Sequence, residues 1–413
     1  MTDPSPAPLL WIDASRPAAG WRLWGMTLVE RLLREGARRG LLRAVVVVSP
    51  ESRPDAARLR PDLSGLWDID VRIVDAVDAG QARLDLVDSG PAGAILCDGD
   101  VVHDDRVLDH LLAAGPGSAV VGEDAVAAHL SAPDLRTLVS STDGIDATRL
   151  PGVGVRRLEE LGHYVPELRL TMIPFLVRIA DRDGLRRVDR LLFHRTFKGV
   201  IDAVARYGYY HFVRFVTRVL SRTTVSPNLL TLLSILGIWV AIPCFATGQI
   251  GWGILSAWIG VILDSVDGKL ARLTVNLSDA MGSLEHAVAM PGLGLWFVSL
   301  GWHLSDGQLL SANPVSVACW VLVGTFLADK ILTGAFRKFF GYELFDARRL
   351  DAAFHLIAAR RNVQLLLLTV GAGFGVVAGA YQWMVAGMLL SFVFHAVRFA
   401  WIATTTDRDD ADA

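Results

Sequence analysis

Ionisable residues interrupt an otherwise apolar stretch at residues 260–290, "GVILDSVDGKLARLTVNLSDAMGSLEHAVAM". Asp264 and Asp267 are one helical turn apart, so a helix presents both carboxylates on one face. Glu285 begins the next apolar segment, which must return antiparallel beside the first after a short loop. Charged groups at membrane depth are costly and by default functional. Three converging carboxylates need a cation, and oxygen ligands favour Mg²⁺ or Mn²⁺. The segment therefore predicts a divalent-metal site.

Small and basic residues beside these carboxylates indicate phosphate chemistry. Gly268 leaves room for a ligand to approach the backbone, and the guanidinium of Arg272, one turn further on, suits a phosphate. Lys269 is placed either to contact a phosphate or to extend towards lipid head groups. Arg360 and Arg361, in "FHLIAARRN", are either a clamp for an acceptor phosphate or anchors at the membrane surface. Together these residues predict phosphoryl-type transfer on a diphosphate.

The elements that position this site are predicted to be membrane helices. The chain has 413 residues, of which 52% are hydrophobic, and its mean hydropathy is +0.39. Lys and Arg residues fall in alternate loops, so the positive-inside rule places both termini in the cytoplasm. We therefore predict a multi-pass protein of the inner (cytoplasmic) membrane. The six predicted spans are 227–246, 249–266, 282–303, 313–334, 363–381 and 383–403.

The complete predicted fold class is an α-helical membrane bundle of six transmembrane helices preceded by a cytoplasmic α/β Rossmann-like domain. Residues 1–195 alternate short β-rich runs with helical stretches, which is typical of an α/β layer domain. Residues 196–226 are predicted to form an amphipathic helix at the membrane surface. The membrane domain is predicted at 227–405 and an acidic tail at 406–413.

Other sequence features narrow the partners. The net charge of −3 and the lack of a basic arm give no indication of nucleic-acid binding. The three cysteines have neither metal nor redox spacing. The opening "MTDPSPAPLLW" has no positively charged segment before an apolar core, so no cleaved signal is predicted.

The sequence "DSVDGKLAR" resembles the D-x-x-D-G-x-x-A-R core of the CDP-alcohol phosphotransferases, and "SPNLLT" resembles their P-N-x-x-T element. The resemblance implies attack of an acceptor alcohol on the β-phosphate of a CDP-alcohol, with release of CMP, in phospholipid or phosphodiester biosynthesis. It implies membrane lipids as surroundings, and a homodimer through the membrane helices is compatible with it. By resemblance, Asp264 and Asp267 hold the metals. The residues that would line the CDP pocket are Asn228, Thr231, Gly268, Ala271 and Arg272.

The second half of the family pattern, x8-G-x3-D-x3-D, is only partly present. One register places Met281, Glu285 and Ala289 at the three fixed positions, and a shift of one residue gives Gly282, His286 and Met290. We prefer the first register because it keeps an acid at the third position. Neither supplies the fourth carboxylate, which the family uses as general base. His286 is a candidate substitute, although a packing role is the more expected one.

This departure keeps a second hypothesis open. The leading prediction is a metal-dependent transferase, and the alternative is a catalytically inactive relative that binds nucleotide or partner proteins as a scaffold. A transporter is disfavoured because the sequence has no inverted repeat.

The front of the chain resembles a sugar-phosphate nucleotidyltransferase. Fusions of such a domain to a CDP-alcohol phosphotransferase exist, and in the inositol-phosphate versions the first domain is the cytidylyltransferase. The sequence "LCDGD" resembles the strand end where such enzymes bind metal, so Asp98 and Asp100 are either metal ligands or ordinary surface residues. The phosphate loop is shortened to "SRPAAGWRLWG", and the first lysine of the chain is Lys198. Few groups remain to bind a triphosphate, so a degenerate domain with a docking or regulatory role is predicted.

Overall fold

The protein is represented by a computed structural model that describes residues 7–58, 69–82, 93–139, 152–165, 168, 170–197 and 199–409. The description does not extend to the side chains of residues 136–139, 170, 279, 285, 286 and 406–409. Residues up to 197 are called the α/β region below, and residues from 199 onwards the helical region.

The α/β region is built on a seven-stranded sheet. In chain order its strands are β1 (Leu9–Ala14), β2 (Arg43–Val48), β3 (Asp70–Asp75), β4 (Ala94–Asp98), β5 (Ser118–Val121), β6 (Val126–Leu130) and β7 (Gly154–Arg157). Across the sheet the order is β7-β5-β6-β4-β1-β2-β3, and β6 is antiparallel to both of its neighbours. The predicted strand and helix alternation is therefore present, although the sheet is mixed.

Alternate residues of the central strands pack on opposite faces of the sheet. Leu10 and Ile12 of β1 belong to a core that includes helix α1 (Leu28–Ala37) and helix α2 (Asp105–Ala114). Trp11 belongs to a separate core on the other face. Burial on both faces explains why the central strands are nearly continuous apolar runs such as "AVVVV".

Helices make up most of the rest of the chain. Thr27 begins α1, since its hydroxyl accepts a hydrogen bond from the Glu30 amide at 3.1 Å. A short helix at Ala132–Val139 follows α2. The later helices are α3 (Arg182–His194), α4 (Tyr210–Leu220), α5 (Pro227–Ala246), α6 (Ile250–Leu273), α7 (Asp279–Leu304), α8 (Pro314–Phe340), α9 (Arg349–His355), α10 (Arg361–Gly373) and α11 (Val377–Asp409).

Five helices in the part of the chain that the structure describes are long and apolar enough to cross a membrane, namely α5, α6, α7, α8 and α11. The fifth predicted span, 363–381, corresponds instead to α10, which has 13 residues and a length of about 20 Å. A bilayer core is about 30 Å thick, so six full spans are not confirmed. Helix α10 ends early because Gly375 adopts a left-handed φ of 70° and the Val376 amide bonds the Gly371 carbonyl.

The segment before α5 contains a π-helical stretch, Val204–Tyr209, that leads into α4. Phe212, Phe215 and Val219 recur at helical spacing on α4, and all three are exposed. This exposed apolar stripe is what a helix at a membrane surface requires. Its location at the membrane remains a prediction.

Candidate active site

Helix α6 is held against α5 by a close glycine contact. A Cβ atom added to Gly260 would lie 2.8 Å from the Ile238 amide nitrogen and 2.9 Å from the Ser234 carbonyl oxygen. The hydroxyl of Ser256 also donates to the Gly237 carbonyl at 2.8 Å. Small residues allow helix backbones to approach each other in this way. Asp264 and Asp267 follow Gly260 at helical spacing, so the contact fixes their distance from α5.

The two aspartates lie in the second half of the 24-residue helix α6. At 1.5 Å per residue, Asp264 is about 21 Å from the start of the helix and Arg272 about 33 Å. These positions approach one boundary of a hydrocarbon core about 30 Å thick. The charged residues can therefore contact polar substrates while their helix remains in the bilayer.

A cavity of about 200 Å³ opens beside this end of α6. It gathers predicted residues from two separate parts of the sequence. The predicted residues that line it are Asp264, Asp267, Gly268, Lys269, Arg272, Arg360 and Arg361. Carboxylates and cations thus share one solvent-accessible cavity, which suits a charged phosphate ligand and a cation.

The two motif carboxylates have different partners. Asp264 forms an ion pair with Arg361, which begins helix α10. Asp267 is buried, and its Oδ1 accepts a hydrogen bond from the amide of Gly268. Among the described residues, its Oδ2 is buried without a hydrogen-bond partner. An unsatisfied buried carboxylate oxygen facing a second carboxylate fits a divalent cation, since oxygen ligands are what Mg²⁺ and Mn²⁺ prefer.

The three-carboxylate metal site predicted from the sequence stays a prediction, because the side chain of Glu285 lies outside the described residues. Within the described residues, no group of three metal-binding side chains is present. Glu285 and His286 fall in helix α7, but their side chains lie outside the described residues, so both assignments remain predictions. The residues four positions further on differ in burial. Ala289 packs against the apolar core of the helical region, whereas Met290 is 50% exposed. This difference favours the register that places Glu285 at the third motif position.

Gly268 and Lys269 have contacts that the sequence did not predict. A Cβ atom at Gly268 would lie 3.0 Å from Nη2 of Arg272. The missing side chain therefore makes room for the guanidinium, in addition to any ligand. Lys269 Nζ donates to the Ser265 carbonyl at 3.0 Å and lies 4.5 Å from the ring centre of Phe197. Lys269 is buried, so the structure favours a role in the cavity over contact with lipid head groups.

Three residues predicted for the CDP pocket do not line the cavity. Thr231 is buried, with its hydroxyl donating to the Pro227 carbonyl at 3.2 Å, and it also interacts with Asp267. Ala271 is buried on α6, and Asn228 is exposed at the start of α5. Their role in CDP binding remains a prediction.

The segment before α4 contributes residues that the sequence reading missed. Asp202 is buried and accepts a hydrogen bond from Asn362 Nδ2 at 2.7 Å, while Arg360 donates to the Val200 carbonyl at 3.1 Å. Burial raises the pKa of Tyr209, so its hydroxyl keeps its proton beside Ser265 Oγ at 3.4 Å. The additional lining residues are Thr196, Phe197, Ile201, Asp202, Ala205, Tyr209, Tyr210, Val213, Ser265 and Asn362. The sequence signal that could have revealed this contribution is Asp202, an acidic residue within the predicted interfacial helix.

The predicted acidic pair of the α/β region has basic partners. Asp98 ends strand β4, beside Asp13 of β1, and Asp100 follows it. Arg178 contacts both Asp98 and Asp100, the latter at 2.7 Å, and Arg16 lies 3.3 Å from Asp100. The two carboxylates are thus neutralised by guanidinium groups. The degenerate character of this site stays a prediction.

The helical region matches the model of a known protein family. Residues 224–406 match the family described as CDP-alcohol phosphatidyltransferase. This match confirms the family predicted for this part of the chain. It begins after the α/β region, so it gives no support to the nucleotidyltransferase-like prediction. No curated protein matches the chain.

Solved structures with detectable similarity include three of the phosphatidylinositol phosphate synthase PgsA1 of Mycobacterium tuberculosis. The first has CDP-DAG bound, the second contains manganese and citrate, and the third is an apo form. Their sequence identities to this chain are 17%, 16% and 17%, and each TM-score is 0.36. The alignments cover 46%, 45% and 45% of this chain and 94%, 88% and 94% of those chains. At this TM-score the likeness carries no inference about this chain.

Proposed function

We propose that the protein transfers a phospho-alcohol group from a CDP-alcohol to an acceptor alcohol within a membrane and releases CMP. The family match supports head-group transfer from a CDP-alcohol at the family level. The observation that carries the proposal for this chain is the cavity in which Asp264 and Asp267 face Arg272, Arg360 and Arg361. Such a cavity offers carboxylates for a cation and guanidiniums for phosphates.

The reaction assigns distinct roles to these residues. Asp264 and Asp267 would hold Mg²⁺ or Mn²⁺, with Glu285 as a further candidate ligand. The cation, when bound, would neutralise the diphosphate as charge develops on the leaving CMP. Arg272 and Lys269 would contact the diphosphate of the donor, and Arg360 would be available to the acceptor.

In the transfer itself, the acceptor oxygen forms a bond to the β-phosphorus and the bond to the CMP oxygen breaks. The acceptor hydroxyl releases its proton to water in the same reaction, and CMP leaves as the second product. Positioning and electrostatic stabilisation supply most of the catalysis in phosphoryl transfer, so the cavity's charges are its main contribution.

A catalytically inactive relative remains the second candidate function. Ala289 occupies the fourth motif position in the preferred register and packs in the apolar core, so it offers no base. Loss of a general base typically lowers a rate by about 10² to 10⁴. The Asp264 ion pair with Arg361 also competes with metal binding. A protein of this kind would bind CDP without releasing CMP.

Measurement of CMP release separates the two functions. Purified protein in lipid nanodiscs is supplied with labelled CDP-alcohols, Mg²⁺ or Mn²⁺, and a panel of acceptor alcohols. We expect turnover in the wild type and its loss in Asp267→Asn. Asp306→Asn is a matched control, since Asp306 is an exposed aspartate outside the cavity. CDP binding without CMP release, whichever acceptor is supplied, would favour the inactive relative.

A further inference from the structure

Helix α1 of the α/β region is buried along its entire length, including its charged residues. Glu30 and Arg34 form a pair at 2.8 Å with both side chains 1% exposed. Arg31 Nε lies 2.9 Å from Oε1 of Glu35 in a second pair. Buried charges persist only when they are paired and hydrogen-bonded. The groups that these paired side chains contact therefore indicate why α1 carries charges.

Both arginines reach from α1 to the end of the motif helix α6. Arg31 Nη1 donates to the Leu273 carbonyl at 2.9 Å, and Arg34 Nη1 donates to the Thr274 carbonyl at 3.4 Å. The last carbonyls of a helix have no partners within the helix and carry partial negative charge. Two guanidiniums therefore donate hydrogen bonds to the carbonyls at the end of α6. These carbonyls directly follow Arg272, which lines the candidate active site.

The backbone at this end of α6 is strained. Val275 has a left-handed φ of 52° and is buried. A β-branched residue rarely adopts this conformation, and it persists only when the surrounding structure determines it. The Asn276 amide completes the turn by donating to the Ala271 carbonyl at 2.8 Å. The contacts from α1 are thus part of what holds the last turn in place.

Apolar contacts join the same two regions. Leu273 packs in one cluster with Trp24 and Leu28 of the α/β region and Phe193 of α3. Gly25 lies so close to α4 that an added Cβ atom would be 1.8 Å from the Ser221 carbonyl oxygen. The α/β region is therefore fixed against the helical region by backbone contact as well as by the arginines.

From these contacts we propose that the α/β region is a clamp on the motif helix, with Arg31 and Arg34 as positioning residues for Arg272. The clamp rests on the proposed function, because Arg272 is expected to contact the CDP diphosphate. It gives the α/β region a role that requires no nucleotide transfer of its own. Removing either arginine takes a hydrogen bond from the end of α6, so the last turn moves more freely and CDP affinity falls.

The test uses full-length protein in nanodiscs, with the variants Arg31→Gln and Arg34→Gln. Arg38→Gln is the matched control, because Arg38 ends the same helix and is exposed. Two quantities are measured: equilibrium binding of CDP in the presence of Mn²⁺, and hydrogen–deuterium exchange along the chain. We expect CDP binding to weaken by about tenfold in the two variants, since a hydrogen bond to a charged group is lost from each.

Exchange distinguishes positioning from general stability. The Thr274 and Asn276 amides, bonded to Leu270 and Ala271, should exchange faster in the variants while the amides of β1 and β2 remain protected. Arg31→Lys, which can still reach a carbonyl, should restore part of that protection. Unchanged exchange at residues 271–276, faster exchange throughout the sheet, or unchanged CDP affinity would each overturn the clamp. Absence of CDP binding in the wild type would instead refute the proposed function, and the exchange result would still test the contact.

Discussion

Substitution of Gly260 by alanine tests whether the helix contact positions the aspartates. The added Cβ atom would lie 2.8 Å from a backbone nitrogen of α5, whereas ordinary contacts of this kind begin at 3.4 Å. The neighbouring atoms are backbone, so the two helices must separate by about 0.5 Å rather than adjust a side chain. Overpacking of this kind costs about 1 to 3 kcal/mol.

The displacement should also weaken ligand binding. Asp264 is one turn beyond Gly260, and metal sites tolerate deviations of only about 0.2 Å in ligand distance. A misplacement of about 1 Å can cost about a hundredfold in activity, so a shift half as large should lower CDP affinity with Mn²⁺ by about tenfold. Thermal unfolding in one detergent and equilibrium CDP binding measure the two effects.

Gly251→Ala provides the matched control, since it adds the same methyl group to the same helix with no atom within 4 Å. We expect this variant to keep wild-type stability and CDP affinity. If Gly260→Ala matches Gly251→Ala in both measurements, the close contact does not position the site and the reasoning is wrong.

Three further substitutions test other features. Burial lowers the pKa of His103 to about 4, below the unfolded value of about 6.5, so the free energy of unfolding should fall as pH drops through that interval. His103→Phe should remove about 2 kcal/mol of this loss at pH 5, measured by unfolding at pH 7.5 and pH 5. Arg361→Gln should tighten Mn²⁺ binding about fivefold by removing the ion pair that competes for Asp264, measured by titration, and weaker binding would contradict competition. Trp24→Ala should destabilise the protein by about 3 kcal/mol through lost packing on Phe193, and an unchanged melting temperature would contradict it.

Local sequence patterns predicted the parts of the site that lie on one helix. The three-residue spacing of Asp264 and Asp267 requires only a helix, and the motif places Arg272 one turn later. Arg360 and Arg361 were also identified, since their charge follows an apolar stretch. Whether they bind an acceptor phosphate or anchor the chain at the membrane surface stays a prediction, and the structure adds that Arg361 pairs with Asp264.

Contacts between distant parts of the sequence were beyond prediction. Asn362 and Asp202 are 160 residues apart, and Arg31 and Leu273 are 242 apart. No periodicity within either segment records such a pairing. Glutamates and arginines are residue types typical of a solvated helix face, so nothing in the sequence of α1 indicates that the structure buries them.

The length of α10 was predictable in principle. Its last three residues and the two that follow are "GAGFG", and a glycine that takes a left-handed conformation commonly stops a helix. Hydropathy alone extended the predicted span across these glycines. The mixed sheet is different, because strand direction depends on connections that propensity does not encode.

The clamp also has consequences for biogenesis. Arg31 leaves the ribosome long before Leu273, so during synthesis the inner side of α1 has no partner. The paired charges of α1 and the apolar surface around Trp24 then stay exposed to water until α6, the second membrane helix, has been inserted. We expect a chaperone or a nearby membrane surface to cover that face in the interval. Expression of the first 195 residues alone should accordingly yield aggregates rather than a monodisperse domain.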